Sequence, residues 1–412
     1  MGSKNLNSFL DSKPLYYKEI DHERVHSAYA ILKPHINHPE TVHIVGTNGK
    51  GSTGRMLSHL AFSVQRSEFS VGHYSSPHIL KFNERIWLDG EDASDDILEE
   101  AHQKLFAILG KEMADALSYF EYTTLLAFVV FENCDLMVLE AGLGGEFDAT
   151  NVCDKELSVI TPIGIDHQAF LGESIEEIAA TKIRSIQKKV LLAPQVYDEV
   201  VVVATEIALE KGARLFEMCR SGYPYPDNDM YETKRDDGDQ ILKVGVGTPR
   251  PTRIEHIAEN KAWPEYLIDN AMVALEALDI LEIKYNIDDL LSLELFGRFY
   301  ALTDNIRIDV GHNPLAAQAI VKALNGKVVL IYNSLDDKDY EEVLSILKPK
   351  VKRVEIIKIH SQRATTLEDI EKALKNVNIP YNDFNGKIDE NENYLVFGSF
   401  YTVEAFLKLR DM

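Results

Sequence analysis

The chain has 412 residues, of which 45% are apolar and 26% charged, and its formal net charge is -23. That length exceeds one ordinary core, so two domains are expected, and the composition is globular rather than disordered. The acidic balance excludes a general nucleic-acid or anionic-membrane binder, because phosphates would be repelled, yet it leaves room for a small anionic substrate in a locally basic pocket.

The three cysteines, Cys134, Cys153 and Cys219, show no CxxC spacing and cannot all pair, which fits reduced thiols in a cytoplasm. The opening segment "MGSKNLNSFLDSK" has no apolar signal core, and Leu6 breaks the myristoylation pattern that Gly2 begins. The longest apolar stretch, "TTLLAFVVF", is far short of the roughly 20 residues that a membrane span needs. A soluble cytoplasmic protein with no membrane partner is expected.

Taken in chain order, short apolar runs alternate with helical patterns, the signature of an α/β fold. "TVHIVG" reads as a strand that enters the glycine-rich loop "HIVGTNGKGSTGR". Leu57, Leu60, Ala61 and Val64 then repeat at helical spacing, which predicts a helix from Ser52 onward. "DLMVLEAG" and "LSVITPIG" read as buried strands whose carboxyl ends carry polar residues, where ligands collect in open α/β sheets. Residues 221–265 are polar and turn-rich and are assigned loops and a hairpin, followed by a helix over "YLIDNAMVALEALDIL". The alternation restarts with "IRIDVGHNP", "KVVLIYNS", "VKRVEIIKIH" and "NYLVFGS" as strands and "TLEDIEKALKN" as a helix. The fold class is therefore α/β. A mostly parallel P-loop-type sheet flanked by helices is expected over 1–288, and a smaller Rossmann-like α/β domain over 289–412.

The glycine loop breaks the usual phosphate-loop spacing, since Ile44 holds the first glycine's place and Gly51 separates Lys50 from Ser52. Its chemistry is nevertheless that of a phosphate cradle. Gly46, Gly49 and Gly51 let backbone N–H groups turn inward, and the helix N-terminus adds partial positive charge. Lys50 can reach a terminal phosphate and Ser52 a magnesium ion; the plain alternative is a glycine-rich turn. Glu140 ends an apolar strand, where such enzymes keep a metal carboxylate, and His167 in "GIDHQ" ends the next. Each read alone is also an ordinary strand-end residue. Lys182 falls on the apolar stripe of Ile175, Ile178, Ala179 and Ile186, a costly place for a cation that does not snorkel, pair or change its chemistry. In the C-terminal half, Arg298 in "FGRFY" and Asp309 and His312 in "IRIDVGHNP" are candidates for base, ribose and phosphate contacts, against the reading of a turn and a surface arginine.

These segments resemble the dihydrofolate synthase/folylpolyglutamate synthase family, a branch of the Mur ligase superfamily of ATP-dependent amide-forming enzymes. "HIVGTNGKGST", "YSSPHILKFNERIWLDGE", "LEAGLGGEFDATN", "ITPIGIDHQAFLGESIEEIAATK", "FGR", "DVGHNP", "LDDKDY" and "FGSFY" run in family order over nearly the whole chain. The broken phosphate-loop spacing is that superfamily's own variant. The resemblance implies ATP contacts by Gly46, Thr47, Asn48, Gly49, Lys50, Gly51, Ser52, Thr53, Asn270, Arg298, Asp309 and His312. It implies a metal site of Ser52, Glu140, His167 and Lys182, with two Mg²⁺ ions and a carbamylated Lys182 that turns a buried cation into an anionic ligand. Burial favours the neutral amine which that modification needs. Lys50, Glu140, His167 and Lys182 form the implied catalytic set.

Ser76, Pro77, His78, Asn83, Arg85, Ala149 and Asn151 match residues that line the pterin pocket, with Glu84 beside them. The implied partners are dihydropteroate or a reduced folate together with L-glutamate, handled by a monomer whose closing domains bring Asp309 and His312 onto ATP. Three departures stand out: Glu146 replaces the family's usual Arg, "TKIRS" replaces the E-K-A-G context of the lysine, and the Gly-x-His-Gln element before Asn270 is missing from "WPEYLIDNA". Two rival readings are a Mur-type cell-wall amino-acid ligase and a nucleotide-binding regulator without ligase activity.

Overall fold

The structure, a computed structural model, describes residues 5–14, 21–64, 68–218, 231–234, 240–246 and 252–410. The chain folds as two compact units, one of Met1–Ile163, Ile175–Pro251 and Asn270–Leu290, the other of Gly164–Ser174, Thr252–Asp269 and Leu291–Met412. The sequence places the boundary near residue 288; the main break follows Leu290, and residues 164–174 and 252–269 also belong to the second unit.

The first unit holds strands β1 (Glu40–Val45), β2 (Val71–Tyr74), β3 (Ile86–Leu88), β4 (Glu91–Asp92), β5 (Leu136–Glu140), β6 (Leu157–Ile160), β7 (Lys189–Leu192), β8 (Arg214–Met218), β9 (Tyr231–Lys234) and β10 (Gln240–Val246). They form one sheet in the order β4-β3-β2-β5-β1-β6-β7-β8-β10-β9. The run from β2 to β10 is parallel, and β3, β4 and β9 are antiparallel additions at the two edges. Central parallel strands are covered on both faces, and β1, β5 and β6 are accordingly buried along all or nearly all of their length. The connections diverge at β1, with β5 on one side and β6 on the other, so the crevice beyond its carboxyl end lies where ligands bind in such sheets.

Helix Lys50–Val64 follows β1 and buries Met56, Leu57, Leu60 and Ala61, the stripe its sequence predicts. On the other side of the unit, a core of Tyr74, Tyr122, Phe128, Phe131 and Leu139 is closed by the N-terminal helix Leu6–Asp11. Lys13 just beyond it donates to the carbonyls of Ala114 and Leu117, which satisfies the end of helix Asp95–Ala116. Among the described residues no helix is long and apolar enough to cross a membrane.

The second unit holds β11 (Tyr300–Thr303), β12 (Ile306–Ile308), β13 (Val328–Tyr332), β14 (Val351–Ile356), β15 (Tyr381–Asp383) and β16 (Tyr394–Phe397), in the order β11-β12-β16-β13-β14-β15. All pair in parallel except β11 with β12. Leu330, Val354, Leu395 and Phe397 pack with Ile370 and Leu374 of helix Leu367–Val377 to form its core.

One stretch departs from expectation. Residues 221–265 contain the hairpin β9–β10, but also helix Thr252–Lys261, whose Ile254, Ile257 and Ala258 are buried. Residues 221–230 lie outside those described.

Two fully internal histidines set an acid limit on stability. His73 on β2 is 1% exposed, and neither ring nitrogen has a partner among the described residues. His43 on β1 bonds Thr150 Oγ1 at 2.8 Å through Nε2, while Nδ1 is unpaired. Burial holds both imidazoles well below their ordinary value of 6.5, with Arg55 adding to the effect at His73 and Lys155 at His43. Below pH 6.5 the unfolded chain therefore binds protons that the native chain refuses, and the native state loses stability as pH falls. Thermal unfolding followed from pH 7 to pH 5 will show a falling midpoint, and His73→Leu will show a shallower fall. Parallel profiles would refute the assignment to His73.

Candidate active site

The loop between β1 and helix Lys50–Val64 is shaped by its neighbours. Gly46 has φ +151°, and a Cβ there would lie 2.0 Å from Thr161 Oγ1; Gly49 has φ +88°, and a Cβ there would lie 2.7 Å from Asn270 Oδ1. Both positions thus require glycine for backbone and for space. The N–H groups of Thr47 and Asn48 donate to Pro162 O at 3.0 and 3.1 Å, so these two residues shape the loop with their amides. The helix begins at Lys50, and its first-turn amides have no preceding carbonyls to bond, which leaves the donors of Lys50, Gly51 and Ser52 at its head. Thr53 is fully buried and its N–H bonds Gly49 O at 2.9 Å, so its side chain faces the interior.

Two ammonium groups converge on one carbonyl of this loop. Lys50 Nζ lies 3.2 Å from Gly46 O and 3.4 Å from Thr47 O, and Lys182 Nζ lies 3.0 Å from Gly46 O. Lys182 is 4% exposed and sits in the last turn of helix Ile175–Ile183. Its place on the apolar stripe therefore reflects burial against the glycine loop rather than snorkelling. The Lys50 ammonium at the head of a helix is an attractor for a polyanion.

Ser52 Oγ donates to Gly49 O at 3.2 Å and accepts from Asn270 Nδ2 at 2.8 Å. Asn270, in helix Glu265–Ile280, thus stands on the glycine loop. Glu140 ends β5 and pairs in register with Ile44, two residues before Gly46. It is 5% exposed, and Oε2 accepts from the Ser76 N–H at 3.3 Å. A buried carboxylate and a serine hydroxyl are both hard-oxygen donors, which suit a magnesium ion that keeps several of its waters.

The segment after Glu140 packs on the same helix end. Glu146 N–H donates to Thr181 O at 2.9 Å, and its carboxylate lies 3.6 Å from Arg184. The charge that departs from the family pattern is thus set against an arginine that also departs from it. Asp148 caps the short helix Ala149–Val152 and accepts from Leu143 N–H at 2.8 Å and Thr150 Oγ1 at 2.6 Å. Because the Thr150 hydroxyl donates to Asp148, it accepts from His43 Nε2–H, which fixes that tautomer. Ala149 is buried, and Asn151 Nδ2 donates to Glu146 O at 2.8 Å.

On the next strand connection, Arg85 is buried, donates from Nε to His78 Nδ1 at 2.8 Å, and lies 5.3 Å from the Tyr119 ring centroid. Glu84 accepts the N–H groups of Ile79, Leu80 and Lys81, which fixes the turn after exposed Pro77. Asn83 donates to Ala93 O and Asp95 Oδ1 at 2.8 and 2.9 Å, so its amide serves that turn.

The second unit has its own polar centre. Lys338 Nζ lies 2.7 Å from Asp166 Oδ1 and 3.1 Å from His167 Nε2. His312 Nε2 and Asn313 Nδ2 lie 3.7 and 3.3 Å from Asp166 Oδ2, and Asp337 lies 3.7 Å from His167 Nδ1. Burial pushes Asp166 up, but His312 and Lys338 outweigh it and hold the carboxyl well below its usual range. Burial pushes His167 down to about 4 against the opposing pull of Asp166, so its imidazole is neutral, the form that binds metals. Asp309 accepts from Tyr266 OH and Phe299 N–H, both at 2.8 Å, and from Gly311 N–H at 2.7 Å. Arg298 stacks 5.2 Å from the Phe400 centroid.

The sequence reading missed Asp166, Lys338 and Tyr266. Asp166 and Lys338 stood inside the segments "GIDHQ" and "LDDKDY", but their pairing spans 172 residues. Tyr266 carried no local signal. Among the described residues no three His, Cys, Asp or Glu side chains converge as a ready metal cage.

No protein-family model matches the chain. It is 32% identical over 405 residues to the dihydrofolate synthase/folylpolyglutamate synthase of Escherichia coli K12, covering 92% of this chain and 88% of that one. The solved structure of the E. coli protein FolC in complex with DHPP and ADP matches with a TM-score of 0.78 and 28% identity, over 99% of this chain and 98% of that one. A bifunctional folylpolyglutamate synthase/dihydrofolate synthase with Mn, AMPPNP and L-glutamate bound matches with a TM-score of 0.78 and 25% identity, over 100% and 99%.

Proposed function

Because the chain belongs to the dihydrofolate synthase/folylpolyglutamate synthase family and is an ATP-dependent ligase, we propose that it joins L-glutamate to dihydropteroate, to a reduced folate, or to both, by way of an acyl phosphate. The observation that carries this reading is the convergence of Lys50 and Lys182 on Gly46 O at the head of a helix, beside the Ser52–Asn270 pair.

The proposed steps are two. A carboxylate oxygen of the pteridine substrate attacks the γ-phosphorus of ATP in line, the bond to ADP breaks, and an acyl phosphate forms. Lys50 and the first-turn amides stabilise charge on the transferring group, so catalysis here is chiefly positioning and electrostatics. The amine of L-glutamate then attacks the activated carbonyl carbon, phosphate leaves, and the nitrogen loses its proton. A divalent cation, when bound, would neutralise phosphate charge, and Ser52, Glu140 and His167 are proposed as metal ligands. Lys182 is proposed as a further ligand once carbamylated, and two metal sites are proposed in all. The pteridine substrate is assigned to the residues from Ser76 to Arg85 and to the loop ending at Asn151. A monomer acting in the cytoplasm completes the reading.

The test is ADP release by the purified protein with MgATP and L-glutamate, with dihydropteroate and tetrahydrofolate offered separately. Release with both makes the enzyme bifunctional, and release with one names its step. A folded, ATP-binding sample silent with both would overturn the proposal.

A further inference from the structure

Lys155 is 1% exposed, lies beyond the pterin-pocket loop, and has no part in the chemistry above. Its ammonium donates to Asn151 Oδ1 and, at 3.1 Å, to Ser185 O; its backbone N–H donates to Gln187 Oε1 at 2.9 Å. Side chain and main chain thus both grip the segment that follows helix Ile175–Ile183. The grip is continued along the seam. Ser185 Oγ donates to Lys182 O at 2.8 Å, Glu146 N–H to Thr181 O at 2.9 Å, and a Cβ on Gly145 would lie 2.3 Å from Lys182 O.

We propose that Lys155 is a positioning residue that fixes the Asn151 amide and locks the loop Gly142–Val152 to the helix end carrying Lys182. The inference rests on the folate-ligase reading for its kinetic consequence, not for its geometry. An asparagine amide has two ends of similar shape and opposite character, and an ammonium can only donate. Lys155 therefore holds Oδ1 toward itself and turns Nδ2 to Glu146 O. The same cation bonds the main chain three residues beyond Lys182, so the pocket loop is tied to the segment that follows that helix. A buried cation with these acceptors is costly to remove singly, because the acceptors are left unpaired.

The experiment uses the full chain with Lys155→Met, Asn151→Ala and the double variant, read by hydrogen exchange and by steady-state kinetics. Lys155→Met is expected to speed amide exchange over both 142–152 and 181–187, and to raise KM for the pteridine substrate ~10-fold with KM for ATP within about twofold of wild type. The double variant should be no worse than Asn151→Ala alone, since Lys155 acts through that amide. Unchanged exchange in either segment, or additive effects on KM, overturns the proposal. If the Met variant does not fold, Lys155→Gln, which keeps a shorter donor, carries the same readouts. Wild-type protein inactive on both pteridines would sink the folate reading, while the exchange result would still judge the lock.

Discussion

Lys50→Ala lowers kcat/KM for ADP formation by about 10³-fold, roughly 4 kcal/mol of transition-state stabilisation. The size follows from what the ammonium does and from what cannot replace it. Lys50 bends back over Gly46 O and Thr47 O at the head of its own helix, which is where the proposed function puts the transferring phosphate. The neighbouring Lys182 does not substitute, because it reaches the same carbonyl from another helix and is held there by burial. Lys50→Arg should recover little, since a planar guanidinium cannot mimic a point charge in that fold-back. Lys50 is only partly buried, so the variant's melting temperature should match wild type. Near-normal turnover of Lys50→Ala in the ADP assay would show that the loop is not the phosphate site.

Glu140→Gln separates a metal carboxylate from a structural strand end. The substitution keeps shape and an acceptor for the Ser76 N–H, but removes the charge from a residue 5% exposed. If Glu140 holds a divalent cation, the magnesium concentration for half-maximal rate should rise by at least tenfold and saturated kcat should fall by about 10²-fold. If it only anchors Ser76, both should stay near wild type, because an amide oxygen accepts that hydrogen bond equally well. A magnesium titration of the rate, paired with manganese binding monitored by electron paramagnetic resonance, decides between them.

Strands with continuous apolar runs and the helix stripe after Ser52 were legible because their signals are local. Lys182 was legible as an anomaly, a cation on an apolar stripe, although its partner Gly46 lies 136 residues away. The pairing of Asp166 with Lys338 was not, because neither residue breaks a local pattern and only the fold joins them. Helix Thr252–Lys261 escaped notice for another reason. Its stripe of Ile254, Ile257 and Ala258 is short, and it directly follows the glycine- and proline-containing sequence "GTPRP" in a polar tract. The phosphate loop showed its glycines in sequence, but not that the Thr47 and Asn48 amides are bonded to Pro162.

That last pair of hydrogen bonds has a thermodynamic corollary. The loop acquires its curvature when the chain folds, from a carbonyl just past the end of β6, so on the proposed function a nucleotide arriving there need not organise it. Nucleotide affinity then becomes partly a property of β6, and substitutions at Thr161 or Pro162 should register in binding entropy before they register in contact chemistry.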